Sequence, residues 1–232
     1  MSWDKLLSLR LLLGVLLCFA ASPAHSQTPA YISMGDSSGW GTSSERQLNE
    51  EDPVMKALPN PDVPAFHLPL KCSACGAIVE HAVHLLSSVV QQHLARRERE
   101  ARGGGNPPHR SQPKQFEMVD AFEQLCREVP FLYGLEMISD TEPSLFFSKS
   151  NMINRVRGGW MQYFLASTCE ELLDEQEEEL VAAIFAAADE GGMKDIPRKV
   201  REVVCTQWER SSKGCDAHGM PITRRPSEPS DL

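Results

Sequence analysis

The sequence predicts an all-α, disulfide-stapled domain of about four helices, and three observations carry that prediction. Apolar residues recur three and four apart over long stretches, the period of a helix with one buried face. Six cysteines lie beyond the first thirty residues, at Cys72, Cys75, Cys126, Cys169, Cys205 and Cys215. The residues that break regular structure collect in a few segments, 27–69, 103–114 and 130–159, which read as a leader, a loop and an irregular insertion.

The clearest element is LKCSACGAIVEHAVHLLSSVVQQHL, from Leu70 to Leu94, with Cys75, Val79, Ala82, Leu86 and Val90 on one stripe. A helix is expected from about Cys72 to Arg102, its far end ARREREAR a solvated extension in which Arg96 and Glu100 are four residues apart. Cys72 and Cys75 share one face of its first turn, so each thiol is placed to bond another element packed there. GGGNPPHRSQPK, 103–114, follows as a solvated loop. Gln115 to Val129 forms the second helix, with Phe116, Val119, Phe122, Leu125 and Cys126 on its stripe and Pro130 ending it.

Residues 130–159 carry short apolar bursts, Pro143 and a closing Gly158-Gly159, and read as an insertion with one or two short strands or turns. The third helix is expected from about Trp160 to Ala188, stopped by Gly191-Gly192. Its centre, EELLDEQEEEL, holds seven acids among eleven residues and is read as a solvated face, because it lacks the glycine turn and alternating oxygen ligands of a calcium loop. Asp195 is an N-cap candidate for the fourth helix with Pro197 in its first turn; Val200, Val203, Val204 and Trp208 are assigned to the core. Residues 217–232 form a polar tail.

Lys5 and Arg10, an apolar run from Leu11 to Ala21 and Ala24-His25-Ser26 make a secretory signal of residues 1–26. Its removal leaves about 206 residues (232 minus 26) and takes away Cys18, so seven cysteines become an even six, the pattern of an oxidising compartment. Residues 27–69 are expected as a mobile leader and 70–216 as the folded domain. No later apolar run approaches the roughly 20 residues of a spanning helix. The formal charge of −9 becomes −10 without the signal, which gives no electrostatic reason to hold nucleic acid. Asn49, Asn60, Asn106, Asn151 and Asn154 all lack a hydroxyl residue at plus two, so N-glycans are not expected.

Two motifs carry chemistry in principle. Cys72-Ser-Ala-Cys75 at a helix start is the geometry of thiol-disulfide exchange, but no strand precedes it and four other cysteines stand ready to pair with it, so it is read as structural. His81 and His84 lie three apart without a third ligand nearby or an HExxH order, and are read as a polar helix face. No catalytic residue, metal or cofactor is assigned. Six cysteines permit fifteen connectivities, and arithmetic does not choose among them.

LKCSACGAIVEHAVHLL, FEQLC, STCEELLDEQEEEL and VREVVCTQWERSSKGCD, in that order across about Leu70 to Asp216, resemble the canopy family. These are saposin-like, disulfide-stapled helical proteins of the endoplasmic reticulum. The nested layout of the cysteines together with the resemblance implies the pairs Cys72–Cys215, Cys75–Cys205 and Cys126–Cys169. The resemblance also implies a folding helper or co-chaperone for secretory or cell-surface client proteins, with lumenal chaperones as further partners. The family commonly ends in a KDEL-like signal, whereas this chain ends Pro-Ser-Asp-Leu, so retention in the lumen with a secreted fraction is expected. A thiol-disulfide enzyme using Cys72 and Cys75, and a saposin-type lipid binder, are the alternatives. For a client surface the insertion is the natural candidate: Phe131, Leu132, Tyr133, Leu135, Phe146 and Phe147 lie outside any helical stripe.

Overall fold

The computed structural model describes residues 45–49, 51–103, 115–190 and 193–222, all within one compact unit. The expected signal sequence, the expected loop after Gly103, the Gly191-Gly192 stop and the Pro-Ser-Asp-Leu end lie outside the described residues, as do the side chains of Phe116 and Val119. In chain order the elements are β1 (Glu45–Gln47), α1 (Val54–Ala57), α2 (Pro64–Leu85), α3 (Ser87–Gly103), α4 (Gln115–Leu132), β2 (Gly134–Met137), β3 (Pro143–Ser148), β4 (Arg155–Arg157), α5 (Met161–Glu190), a 3-10 turn (Met193–Asp195), α6 (Ile196–Gln207) and α7 (Glu209–Ser212). The fold is helical and stapled by three disulfides, with a minor sheet at one side.

Helix α2 is the core of the molecule, buried on nearly every face from Pro69 to Val83, as a helix apolar all round must be. It begins eight residues before Cys72, because Pro64 sits at its start, where a missing N–H costs nothing, and Val63 before it is extended. Pro69 lies inside the helix near its N-terminus and is buried against the C-terminal segment. Gly214 makes that approach possible: a Cβ there would collide with the carbonyl of Leu68 and the nitrogen of Pro69. The expected single first helix is instead two, α2 and α3, bent by 59°. The bend falls at Leu86, which is fully buried and donates to Ala82 O at 2.9 Å while accepting from Val90 N at 2.9 Å, and the pair Ser87-Ser88 follows it.

Around α2 pack α4, α5 and α6, held by the pairs Cys72–Cys215, Cys75–Cys205 and Cys126–Cys169, with Cα separations of 5.4, 5.8 and 5.5 Å. Cys72 and Cys75 are therefore not joined to each other, which removes the closed bridge that the exchange reading of CSAC needs. The three bonds fit an oxidising, non-cytosolic compartment. No single helix among the described residues is long and apolar enough to cross a membrane.

Two parts of the chain differ from expectation more deeply. The insertion holds three strands, and the leader supplies a fourth: the sheet order is β1-β4-β2-β3, with β1 parallel to β4 and the other pairs antiparallel. From Glu45 onward the leader is therefore built into the fold rather than mobile. Arg155, 6% exposed, clamps β1 by donating to Glu45 Oε2 at 2.6 Å, and Arg157 pairs with the other oxygen of the same carboxylate. Leu48 N donates to Arg157 O at 2.7 Å and its side chain is buried. Helix α4 runs through Pro130 to Leu132 rather than stopping before it. On α6, Val200, Val204 and Trp208 are buried as expected, but Val203, about 80° round the helix from the direction Val200 and Val204 share, is 43% exposed at the edge of the buried stripe. Asp195 is the N-cap residue of α6, but its carboxylate accepts no capping hydrogen bond.

The acidic centre of α5 is only in part a solvated face. Glu171 pairs with Lys71, a side chain buried at 7% exposure, and Arg210 bridges Glu171 and Glu175. Trp208, fully buried, donates Nε1–H to Glu175 at 2.9 Å, and the Lys71 ammonium lies 5.7 Å from its ring centroid. Arg210 first, then Trp208, hold the Glu175 carboxyl below its ordinary range. α5 bends at Gln176, whose φ/ψ of −138° and 18° is non-helical, directly after this cluster.

Two outcomes follow for stability. Gly214→Ala forces the C-terminal segment off α2, and chemical denaturation should show a loss of about 3 kcal/mol; a loss under about 0.5 kcal/mol would contradict the contact. His81 on α2 is buried and its Nε2 lies 2.8 Å from Glu128 Oε2. Burial lowers its pKa, and Lys149 and His84 add to the lowering against the pull of Glu128. The folded state then favours neutral His81, so its contribution is present above the ordinary histidine value of 6.5 and is lost as pH falls through the lower folded value. Melting temperature should fall between about pH 7 and about pH 5.5, and His81→Gln should flatten that fall.

Candidate binding surface

The six insertion residues divide. Tyr133, Leu135 and Phe147 are 1%, 0% and 8% exposed, so they belong to the core and not to a client surface. The reason is strand pairing: Leu135 stands opposite Phe147 on β3 and Val156 on β4, and the three close over α2. Ser73 of α2 accepts the Phe147 N–H on its Oγ at 2.7 Å, and the Phe147 ring stacks on Phe164 of α5 and meets Trp160 edge-on. Tyr133 packs edge-on against His81 and lies 5.5 Å beneath the Lys149 ammonium. Burial pushes its hydroxyl far above the usual tyrosine range, with the Glu80 carboxylate adding to the effect.

Phe131 at 61% and Leu132 at 39% remain exposed on the last turn of α4, while Phe146 is half-buried. Three further apolar side chains stand out: Ile138 just after β2, and Met152 and Ile153 in the turn between β3 and β4, at 67%, 96% and 38%. Phe131 and Leu132 precede the first residue of β2 and Ile138 follows its last, and hydrogen bonds tie the Met152–Ile153 turn to both. Met137 N donates to Asn154 O at 2.8 Å, which sets the end of β2 beside the Met152–Ile153 turn. Arg155 donates to the Leu132 carbonyl at 3.4 Å and to Asn151 at 3.2 Å, which brings the end of α4 to the same turn. The turn is held by its own serines, Ser148 Oγ accepting from Ser150 N and Ser150 Oγ from Met152 N. Its only sequence signal is SKSNMIN, a polar turn with two apolar residues that no helical or strand stripe claims.

The surface is therefore a set of exposed apolar side chains on a support in which a buried guanidinium pins the sheet and α4. Among the described residues no group of three or more His, Cys, Asp or Glu is arranged to hold a metal ion. His81 and His84 stack at 5.8 Å, and His81 is spent on Glu128. No family model matches the chain, and no curated protein or solved structure is significantly similar to it.

Proposed function

We propose that this chain is a lumenal, canopy-type chaperone or co-chaperone that binds secretory or cell-surface client polypeptides without catalysis, resident in the endoplasmic reticulum with a secreted fraction. The observation that carries the reading is the exposed apolar set Phe131, Leu132, Ile138, Met152 and Ile153, mounted on a scaffold braced by three disulfides. An unfolded client offers apolar segments without fixed geometry, and such segments need exposed apolar side chains whose own positions survive binding and release. The disulfides support the lumenal part of the reading, since they persist where clients of this class fold. The four resembling segments, from LKCSACGAIVEHAVHLL to VREVVCTQWERSSKGCD, support the family.

The test replaces the surface and leaves the core alone. Phe131→Ser, Ile138→Ser and Met152→Ser together should leave the melting temperature within a few degrees of the parent, because exposed substitutions typically change stability by under about 0.5 kcal/mol each. The same variant should lose most of its ability to suppress aggregation of a reductively unfolded secretory protein, followed by light scattering. Unchanged suppression in a folded variant would overturn this placement of the client surface.

A further inference from the structure

The three disulfides are not equally guarded. Cys72, Cys75 and Cys205 are fully buried and Cys215 is 8% exposed, so two of the pairs offer no sulfur to solvent beyond a sliver. The third pair is asymmetric: Cys169 on α5 is fully buried, but Cys126 on α4 is half-buried and lines an open groove of about 410 Å³ between the two helices. Phe122 and Leu173 supply its apolar floor; Glu123, Glu170, Asp174 and Glu177 stand on its rim against one cation, Arg127. Glu170, Asp174 and Glu177 recur at four and three along one face of α5 and make no ion pair among the described residues, whereas Glu171 and Glu175 on the neighbouring face are neutralised by Lys71 and Arg210. A sulfur at the bottom of this groove lies in a negative field.

We propose that Cys126–Cys169 is a redox-addressable disulfide whose groove admits thiols carrying positive charge and repels anionic ones. The incoming thiolate attacks Cys126 Sγ, the sulfur of the half-buried member of the pair, which lines the groove. A bond forms between the two sulfurs, the Cys126–Cys169 bond breaks, and its electron pair leaves on Cys169 Sγ, which takes a proton from water. A second equivalent of thiol then displaces Cys126, so that the reductant ends as its own disulfide and the protein as a dithiol. The acidic rim acts before the bond changes: it raises the local concentration of a cationic thiol and lowers that of an anionic one, with an effect that salt screens. The inference does not rest on the client surface: none of the groove's lining residues belongs to that set, whose nearest member on α4, Phe131, stands five residues beyond Cys126.

Two small thiols of opposite charge test it on the mature, fully oxidised protein. Cysteamine and 2-mercaptoethanesulfonate are applied at equal thiolate concentration and low ionic strength; the reaction is stopped with acid, and free and adducted cysteines are located by alkylation and peptide mass mapping. The Cys126–Cys169 pair should open first of the three, the earliest adduct should sit on Cys126, and cysteamine should be faster by roughly tenfold or more. That ratio should shrink as salt is raised, and in the variant Glu170→Gln/Asp174→Asn/Glu177→Gln, whose changes are confined to exposed side chains. Either of two results overturns the proposal: another disulfide opening first or the adduct forming on Cys169, or a cysteamine preference that neither salt nor the variant reduces.

Discussion

Cys72 and Cys75, one turn apart on the buried helix α2, are bonded to Cys215 and Cys205, residues more than a hundred positions further along the chain, and the rest of the molecule depends on that double attachment. A single bond would leave α6 free to rotate about it. Two bonds from one helical turn fix both the distance and the rotation of the C-terminal segment against α2. They close nested loops with sequence separations of 143 and 130 residues; the first to form removes on the order of 5 kcal/mol of chain entropy from the unfolded state, and the second less, because its ends are already held close together. The same attachment demands an unusually close backbone contact, met by Gly214 over Leu68 and Pro69 and by Gly219, whose φ of 71° and contact with Arg201 leave no room for a side chain.

The second organising group is Arg155. Its guanidinium reaches the Leu132 and Ser148 carbonyls, Asn151 and Glu45, so one buried cation ties the end of α4, the end of β3, the following turn and the strand β1. A planar fork with five donors suits this work, and lysine, a point charge with three, would leave several acceptors without a partner. Because the Glu45 carboxylate also takes Arg157, β1 is held by charge as well as by its ladder, and a strand of only three residues stays in register.

The helices were legible because their determinants are local: Leu125, Leu172, Leu180, Ile184 and Val200 are buried where a period of three to four places them. The disulfide pairs, two of them more than a hundred positions apart, were legible only through the cysteine layout taken together with the family resemblance. The sheet was not. β1 and β4 are three residues each and find one another across more than a hundred positions, so neither shows an alternation long enough to read. That also explains the division of the client-surface residues, since Leu135 and Phe147 look unassigned only while their strands are unpartnered, and Tyr133 is buried just before the first of them. The prolines misled in the other direction. Pro64 and Pro69 read as breakers of a leader, yet a proline at a helix start is favourable, and one a turn further in forfeits little when the adjacent carbonyls are still at the helix end.

The acidic run of α5 shows why charge in a sequence cannot be apportioned without the packing. EELLDEQEEEL presents two carboxylate rows to two different neighbours. One row, Glu171 and Glu175, faces α2 and α7, where Lys71, Trp208 and Arg210 turn it into part of the structure. The other, Glu170, Asp174 and Glu177, faces α4, where the wall opposite offers Glu123 and a single Arg127. Placing uncompensated like charges along a groove lowers stability by self-repulsion, and a helix with a choice of surface residues has no structural reason to keep them there. The two rows share one helix and differ only in what the fold sets across from them, so the row that stabilises and the row left to act on an approaching molecule are distinguished by partners that sequence alone does not place.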